Sequence, residues 1–251
     1  MEPGEDLVVS ATMFTTYRRC PDQALARLYG QYPQDTRGSF KGNLAHRVFA
    51  RHLLVGEIEP AGFDLACKEE IGQGMNMKVG SVGLKPSTLS AVIAEVGELY
   101  DRFKRISHEG FVDAEVFVEV DVAPGVLMRG SVDAVFGDDR AGMRLIDWKT
   151  GALGRAHDQL AFYALLWVLA HGVLPAKVEA VSVSTGERYA EAPGPSEVQD
   201  VADTVAIMVG ELRRAFAGQT RLERVAGGWC RWCPILSECD EGRSAAAVFA
   251  N

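Results

Sequence analysis

The sequence has no apolar run approaching the ~18 residues that a helical membrane span requires, so a membrane protein is not expected. Its start, Met1-Glu2-Pro3-Gly4-Glu5-Asp6, lacks the basic residues and apolar stretch of a secretory signal. A cytoplasmic protein is therefore expected, and structural disulfides are uncommon in that compartment. No G-x-x-x-x-G-K-[ST] segment occurs, which excludes a P-loop motor within the chain. Internal repeats and low-complexity segments are absent too. Positive charge is in deficit: 26 Lys and Arg stand against 34 Asp and Glu, a formal net charge of −8. That counts against a broadly basic nucleic-acid binder. Two local strips remain, Arg37, Lys41, Arg47 and Arg51 near the start, and Arg213, Arg214, Arg221, Arg224 and Arg231 near the end. Charge pattern alone leaves them open between a solvated surface and a DNA contact.

What is present is an ordinary globular composition, 47% hydrophobic and 24% charged over 251 residues, enough to bury one sizeable core. Short helices are expected from Val9 to Tyr29, broken around Cys20-Pro21. Leu44, Val48, Phe49 and Leu53 then recur at helical spacing and predict a helix over Phe40 to Leu54. Gly72 to Gly83 is glycine-rich without periodicity and reads as a loop. Ser87 is placed to cap a helix whose apolar face runs from Leu89 to Phe103.

From Glu115 the pattern changes to alternation, with Val116, Val118, Val120 and Val122 predicting a strand. Pro124-Gly125 turns into a second strand, Val126 to Phe136. A second turn at Asp138-Asp139-Arg140-Ala141-Gly142 leads into a third, Met143 to Trp148. An apolar helix (Ala156 to His171), a fourth strand (Val178 to Ser184) and a long helix (Ser196 to Ala217) follow, then a tail rich in cysteine. This order predicts an α/β fold with a mixed sheet flanked by helices, organised as one domain over 1–251. Residues 1–110 form a mainly helical part, 111–185 the core, and 186–251 a C-terminal helix and cysteine-rich tail.

The chemistry-bearing residues concentrate in the middle. Asp133 ends Gly130-Ser131-Val132-Asp133 in the second strand, and Asp147 lies at the end of the third. Adjacent antiparallel strands can bring both carboxylates to one sheet edge, where hard oxygen ligands suit Mg²⁺ or Mn²⁺. Lys149 is two residues beyond Asp147 and projects from the same strand face. Such a trio can position or polarise a water attacking a phosphodiester. An ion pair at a strand end is the competing reading. Gln159 and Tyr163 stand four apart on the following helix, polar groups on an apolar element that need partners. His46, on a helix among apolar neighbours, reads by itself as a satisfied core residue.

In order along the chain, these pieces resemble the RecB-like branch of the PD-(D/E)XK nucleases, which includes small CRISPR-adaptation exonucleases and helicase-linked recombination nucleases. Ser10 to Phe14 with Tyr17 and Cys20-Pro21 resembles the family's opening segment, and Gly42 to His46 its GxxxH helix. Gly130 to Asp133 matches its GxxD strand, Asp147 to Lys149 its DxK strand, and Gln159 to Tyr163 its QxxxY helix. The resemblance implies that His46, Asp133, Asp147 and the Trp148 carbonyl ligate a metal ion. It further implies that Lys149 orients water or stabilises charge, and that Gln159 and Tyr163 position the substrate backbone or the lysine. An imidazole ligand favours Mn²⁺ over Mg²⁺.

Of five cysteines, Cys230, Cys233 and Cys239 follow C-x2-C-x5-C, a spacing that points to a metal site. Three thiolates leave room for a fourth, from Cys20 or Cys67, and spacing cannot choose. The resemblance implies Cys20 and a [4Fe–4S] cluster, with Zn²⁺ as the competitor and Cys67 left as a packed free thiol. Such a site would staple the N-terminal helices to the tail. The expected function is a metal-dependent deoxyribonuclease, an exonuclease or end-processing enzyme favouring single-stranded DNA. A helicase or another repair or CRISPR-adaptation protein would be its partner. The alternative is a catalytically silent scaffold in such a complex. Polarity and oligomeric state are not legible.

Overall fold

A computed structural model describes residues 5–138 and 142–249 of the chain. Strand β1 (Leu7–Ser10) enters helix α1 (Ala11–Arg19), whose first turn is capped by Ser10 Oγ accepting from the Met13 N–H at 3.2 Å. Helix α2 (Pro21–Leu28) starts on a proline, where the missing N–H costs nothing. Helix α3 (Arg37–Val55) opens with a reciprocal cap between Thr36 and Ser39. Helices α4 (Phe63–Gly74), α5 (Asn76–Val82) and α6 (Pro86–Phe103) follow. Strands β2 (Phe111–Ala123), β3 (Val126–Asp138) and β4 (Gly142–Lys149) form the meander, and then come α7 (His157–His171) and β5 (Lys177–Ser182). Strand β6 (Arg188–Glu191), α8 (Pro195–Phe216) and, after two single-turn 3-10 segments, α9 (Asp240–Val248) complete the chain.

The expected α/β architecture with a mixed sheet is present. Among the described residues the strands run β1-β3-β4-β5-β6, with β2 paired to β3's other edge. One cluster of buried side chains joins the sheet to α1, α7 and α8, and a second joins it to α3, α4 and α6. No helix of the described residues is long and apolar enough to cross a membrane.

Several expectations need correction. The stretch read as a loop from Gly72 to Gly83 is helical: α4 runs through Gly72, and α5 ends on Gly83, left-handed at φ 66°. Glycine inside a helix costs only about 1 kcal/mol. Buried Met75 and partly buried Val79 and Val82, packed against the α3–α6 cluster, outweigh that cost. Ser87 does not cap α6; Lys85 is its N-cap, and Pro86 starts the helix. The fourth strand ends at Ser182, short of Ser184. Strands β1 and β6 and helix α9 were not foreseen, because four-residue strands and a short alanine-rich helix carry too little pattern. The second meander turn lies mostly outside the described residues.

Phe103 is fully buried, stacked on Phe49 with ring centroids 4.3 Å apart and edge-on to Trp148 at 5.2 Å. Phe103→Ala is therefore expected to cost about 3–5 kcal/mol in urea unfolding. A change under about 1 kcal/mol would mean that this face of the sheet is not the close-packed core described.

Candidate active site

The site lies where β3 changes neighbours. Its first residues, Val126 to Arg129, pair with β1, whereas Ala134 onward pairs with β4. Gly130 to Asp133 thus occupy the split between two partners on that edge. The last β3–β4 pair is Ala134 opposite Ile146, so the next positions in register are Asp133 and Asp147. There the carboxylate of Asp133 takes the Trp148 backbone N–H, 2.7 Å from Oδ2. Trp148 itself is buried between Phe103 and Phe136, which anchors the strand end.

Two helices close on this point. From α3, His46 Nδ1 lies 3.2 Å from Asp133 Oδ1. From α7, Gln159 donates to Asp147 Oδ1 at 2.8 Å and to the Tyr163 hydroxyl at 3.1 Å, and its carbonyl accepts from Lys149 Nζ at 2.7 Å. Lys149 Nζ also lies 2.7 Å from Asp147 Oδ2, an ion-pair distance without hydrogen-bond geometry, so that buried oxygen accepts no hydrogen bond. The glycines of both motifs have a steric purpose. A Cβ on Gly42 would stand 3.3 Å from Thr150 Oγ1, and one on Gly130 would stand 3.2 Å from Leu166 and 3.4 Å from Tyr163. Side chains there would crowd Thr150, Leu166 and Tyr163 by a few tenths of an ångström, where α3 and α7 sit against the site.

The electrostatics are those of acids crowded together. Burial and the nearby Asp133 push Asp147 up to about 6, against the opposing pull of Lys149. Burial would lower His46, but Asp133, Asp147 and Glu115 outweigh it and raise the imidazole to about 9. Burial, then Asp147 and Asp133, hold Tyr163 well above the ordinary phenol range, so its hydroxyl stays neutral.

Glu115 was missed by sequence reasoning. Ala114 faces Ala134 and Val116 faces Val132, so Glu115 stands across from Asp133. It extends the row of acids to three strands. One ligand atom each from His46, Glu115 and Asp133 lie within 4.8 Å of one another. These three residues open onto a groove of about 770 Å³ between α3 and the α4–α5 pair, whose walls also carry Arg47, Arg51 and Lys78.

A model of the PD-(D/E)XK nuclease superfamily matches residues 8–240. The chain belongs to that superfamily. No curated protein matches the sequence. Among solved structures, this PD-(D/E)XK protein is similar in fold to a candidate exonuclease from Eubacterium rectale. The two share 13% identity and a TM-score of 0.55, over 91% of this chain and 86% of the other. More distant likenesses are SSO0001 (17% identity, TM-score 0.43, 96% and 87% of the two chains) and an alkaline exonuclease from Laribacter hongkongensis (15%, 0.33, 76% and 93%).

Elsewhere in this PD-(D/E)XK protein, the first basic strip is largely neutralised. Arg37 and Lys41 pair with Glu95, Arg47 with Glu70, and Arg51 with Glu69. In the second, Arg213 donates to the Pro124 and Gly125 carbonyls, and Arg224 pairs with Asp22. All five cysteines are free. Cys20, Cys230, Cys233 and Cys239 line one small cavity of about 20 Å³, and Cys67 is buried apart from them in the α3–α6 core. Backbone N–H groups of Val225, Gly227 and Gly242 point at the sulfurs of Cys20, Cys230 and Cys239, at 3.5, 3.3 and 3.2 Å.

Proposed function

We propose that this chain is a divalent-metal-dependent deoxyribonuclease that trims single-stranded or frayed DNA ends. The observation that carries the reading is a pair of contact sets side by side at the β3–β4 end: Tyr163, Gln159, Lys149 and Asp147 in one, and His46, Asp133 and the Trp148 N–H in the other, which opens onto the groove. The donor set fits a metal ion: carboxylates beside an imidazole, with one buried Asp147 oxygen accepting no hydrogen bond. His46, Asp133, Asp147 and the Trp148 carbonyl are its proposed ligands. A bound Mn²⁺ or Mg²⁺ supplies Lewis-acid polarisation of the scissile phosphate and a lowered pKa for the attacking water.

The protein's own groups do the rest. Lys149 offers N–H donors to charge developing at the phosphate or to the incoming water. Gln159 fixes that ammonium by bonding both it and its carboxylate partner, and Tyr163 fixes the Gln159 amide. Two of the groove's three cations, Arg47 and Arg51, are already paired with Glu70 and Glu69, which supports modest intrinsic DNA affinity and delivery of ends by a partner such as a helicase.

The four sulfurs lining one cavity support a [4Fe–4S] cluster as a structural staple, with Cys20 as the N-terminal ligand and Zn²⁺ as the competing occupant. The backbone N–H groups directed at three of these sulfurs are the outer partners that ligating sulfurs commonly use. End-labelled DNA tests the catalytic reading. Single strands are expected to be cut about tenfold faster than blunt duplex, and faster in Mn²⁺ than in Mg²⁺. Absence of cleavage in either metal would move a silent scaffold ahead.

A further inference from the structure

We infer that Glu115 is a ligand of the divalent ion, completing with His46 and Asp133 the metal-binding set on the groove side of the site. The inference rests on the metal-dependent reading above and adds a residue from a third strand. Three observations support it. First, the β2–β3 and β3–β4 registers place Glu115, Asp133 and Asp147 in one row across the sheet. Second, it is Glu115, with His46 and Asp133, whose ligand atoms fall within 4.8 Å of one another. Asp147, proposed above as a ligand from the Lys149 side, is not in that group of three.

Third, Glu115 has little structural reason to be acidic. It accepts one hydrogen bond, from Ser131 Oγ at 3.2 Å, and makes no ion pair among the described residues. It holds a left-handed backbone, φ 52°, in the middle of a strand, a conformation unfavourable for a residue with a side chain. Without a cation, its carboxylate faces Asp133 across the strand pair, where like charges oppose each other. A divalent ion shared with Asp133 and His46 turns that repulsion into coordination by hard oxygens and one imidazole.

The test is Mn²⁺ binding by the full chain, followed by the loss of the free-ion electron paramagnetic resonance signal. Glu115→Gln, which retains the Ser131 hydrogen bond, is expected to weaken Mn²⁺ binding by at least about tenfold. Glu115→Ala guards against residual ligation by the Gln carbonyl and should weaken it at least as much. Both variants should also lose most of the metal-induced rise in melting temperature. Unaltered Mn²⁺ affinity in both, with binding lost in Asp133→Asn, would overturn the assignment of Glu115 and leave the rest of the site standing. If the wild type bound no Mn²⁺ at millimolar concentration, the metal-dependent reading would fall together with this inference.

Discussion

Lys149→Ala is expected to slow single-strand cleavage by about 10²–10³-fold, the usual cost of removing one transition-state donor from an organised site. The geometry explains the size. Lys149 Nζ is held at 2.7 Å from both Asp147 Oδ2 and Gln159 Oε1, so its position is fixed before substrate arrives. Removing the ammonium also removes the strongest influence keeping Asp147 ionised. That carboxyl already sits near 6 through burial and Asp133. Without Lys149 it should rise further, so that a larger fraction is protonated at neutral pH and unable to serve as a ligand. The variant's cleavage should therefore recover partly as pH is raised, which a purely steric loss would not produce. Single-turnover kinetics between pH 6 and 9 read both effects. Cleavage within threefold of wild type at all pH values would remove Lys149 from the chemistry.

Cys20→Ala is expected to abolish visible absorption of the purified protein and to lower its melting temperature by at least about 10 °C. Cys20 sits between α1 and α2, while its three candidate partners come from the segment just before α9. Joining them closes a loop of about 210 residues, which on a chain-entropy estimate restricts the unfolded state by about 5 kcal/mol. For a chain of this size that corresponds to roughly 10–20 °C. The remaining ties between these segments are modest. They include the Arg224–Asp22 ion pair at 2.8 Å, the Asp22 N–H donating to the Glu223 carbonyl at 3.2 Å, the Val225 N–H to the Cys20 sulfur, and the Arg19 guanidinium over the Trp229 ring at 5.9 Å. Exposed pairs of this kind contribute about 0–1 kcal/mol. Cys67→Ala is the control, since Cys67 is packed in the other core and its thiol is pushed by burial up to about 12. It should leave the absorption intact. A colourless wild type with one zinc per chain would replace the cluster with Zn²⁺ and keep the staple. An unchanged melting temperature in Cys20→Ala would remove the staple altogether.

Much of the active region was legible because its signals are local. Alternating valines mark β2, and Asp147-x-Lys149 needs only the two-residue period of a strand to place both side chains on one face. Gln159 and Tyr163 need only one helical turn to share a face, and in the folded chain Gln159 lies within hydrogen-bond distance of Lys149, Asp147 and Tyr163. The helical part was less legible. The α4–α5 pair, which walls the groove, carries glycines at Gly72, Gly74 and Gly80, and its folding depends on what α3 and α6 present to it. Charge was misleading in a different way. Arg37, Lys41, Arg47 and Arg51 form a basic strip in the sequence, but their partners Glu69, Glu70 and Glu95 come from helices brought alongside by folding.

Glu115 marks the boundary most sharply. A tight hairpin at Pro124-Gly125 pairs Ala123 with Val126, and carrying that register back along β2 would set Glu115 opposite Ala134. The register instead shifts by one residue between Asp121 and Ala123, so that Asp121 pairs with Leu127 and Glu115 comes opposite Asp133. A slip of one residue moves every side chain of a strand to the other face, and a bulge is how the chain makes that slip. By itself the sequence determined the α/β class and singled out the residues proposed to carry the chemistry, because periodicity and motif spacing are short-range properties. Only the tertiary structure decided that Glu115 joins the acids, that the groove opens beside them, and that most of the basic strip is neutralised. Those outcomes depend on strand register and helix packing between segments far apart in the chain.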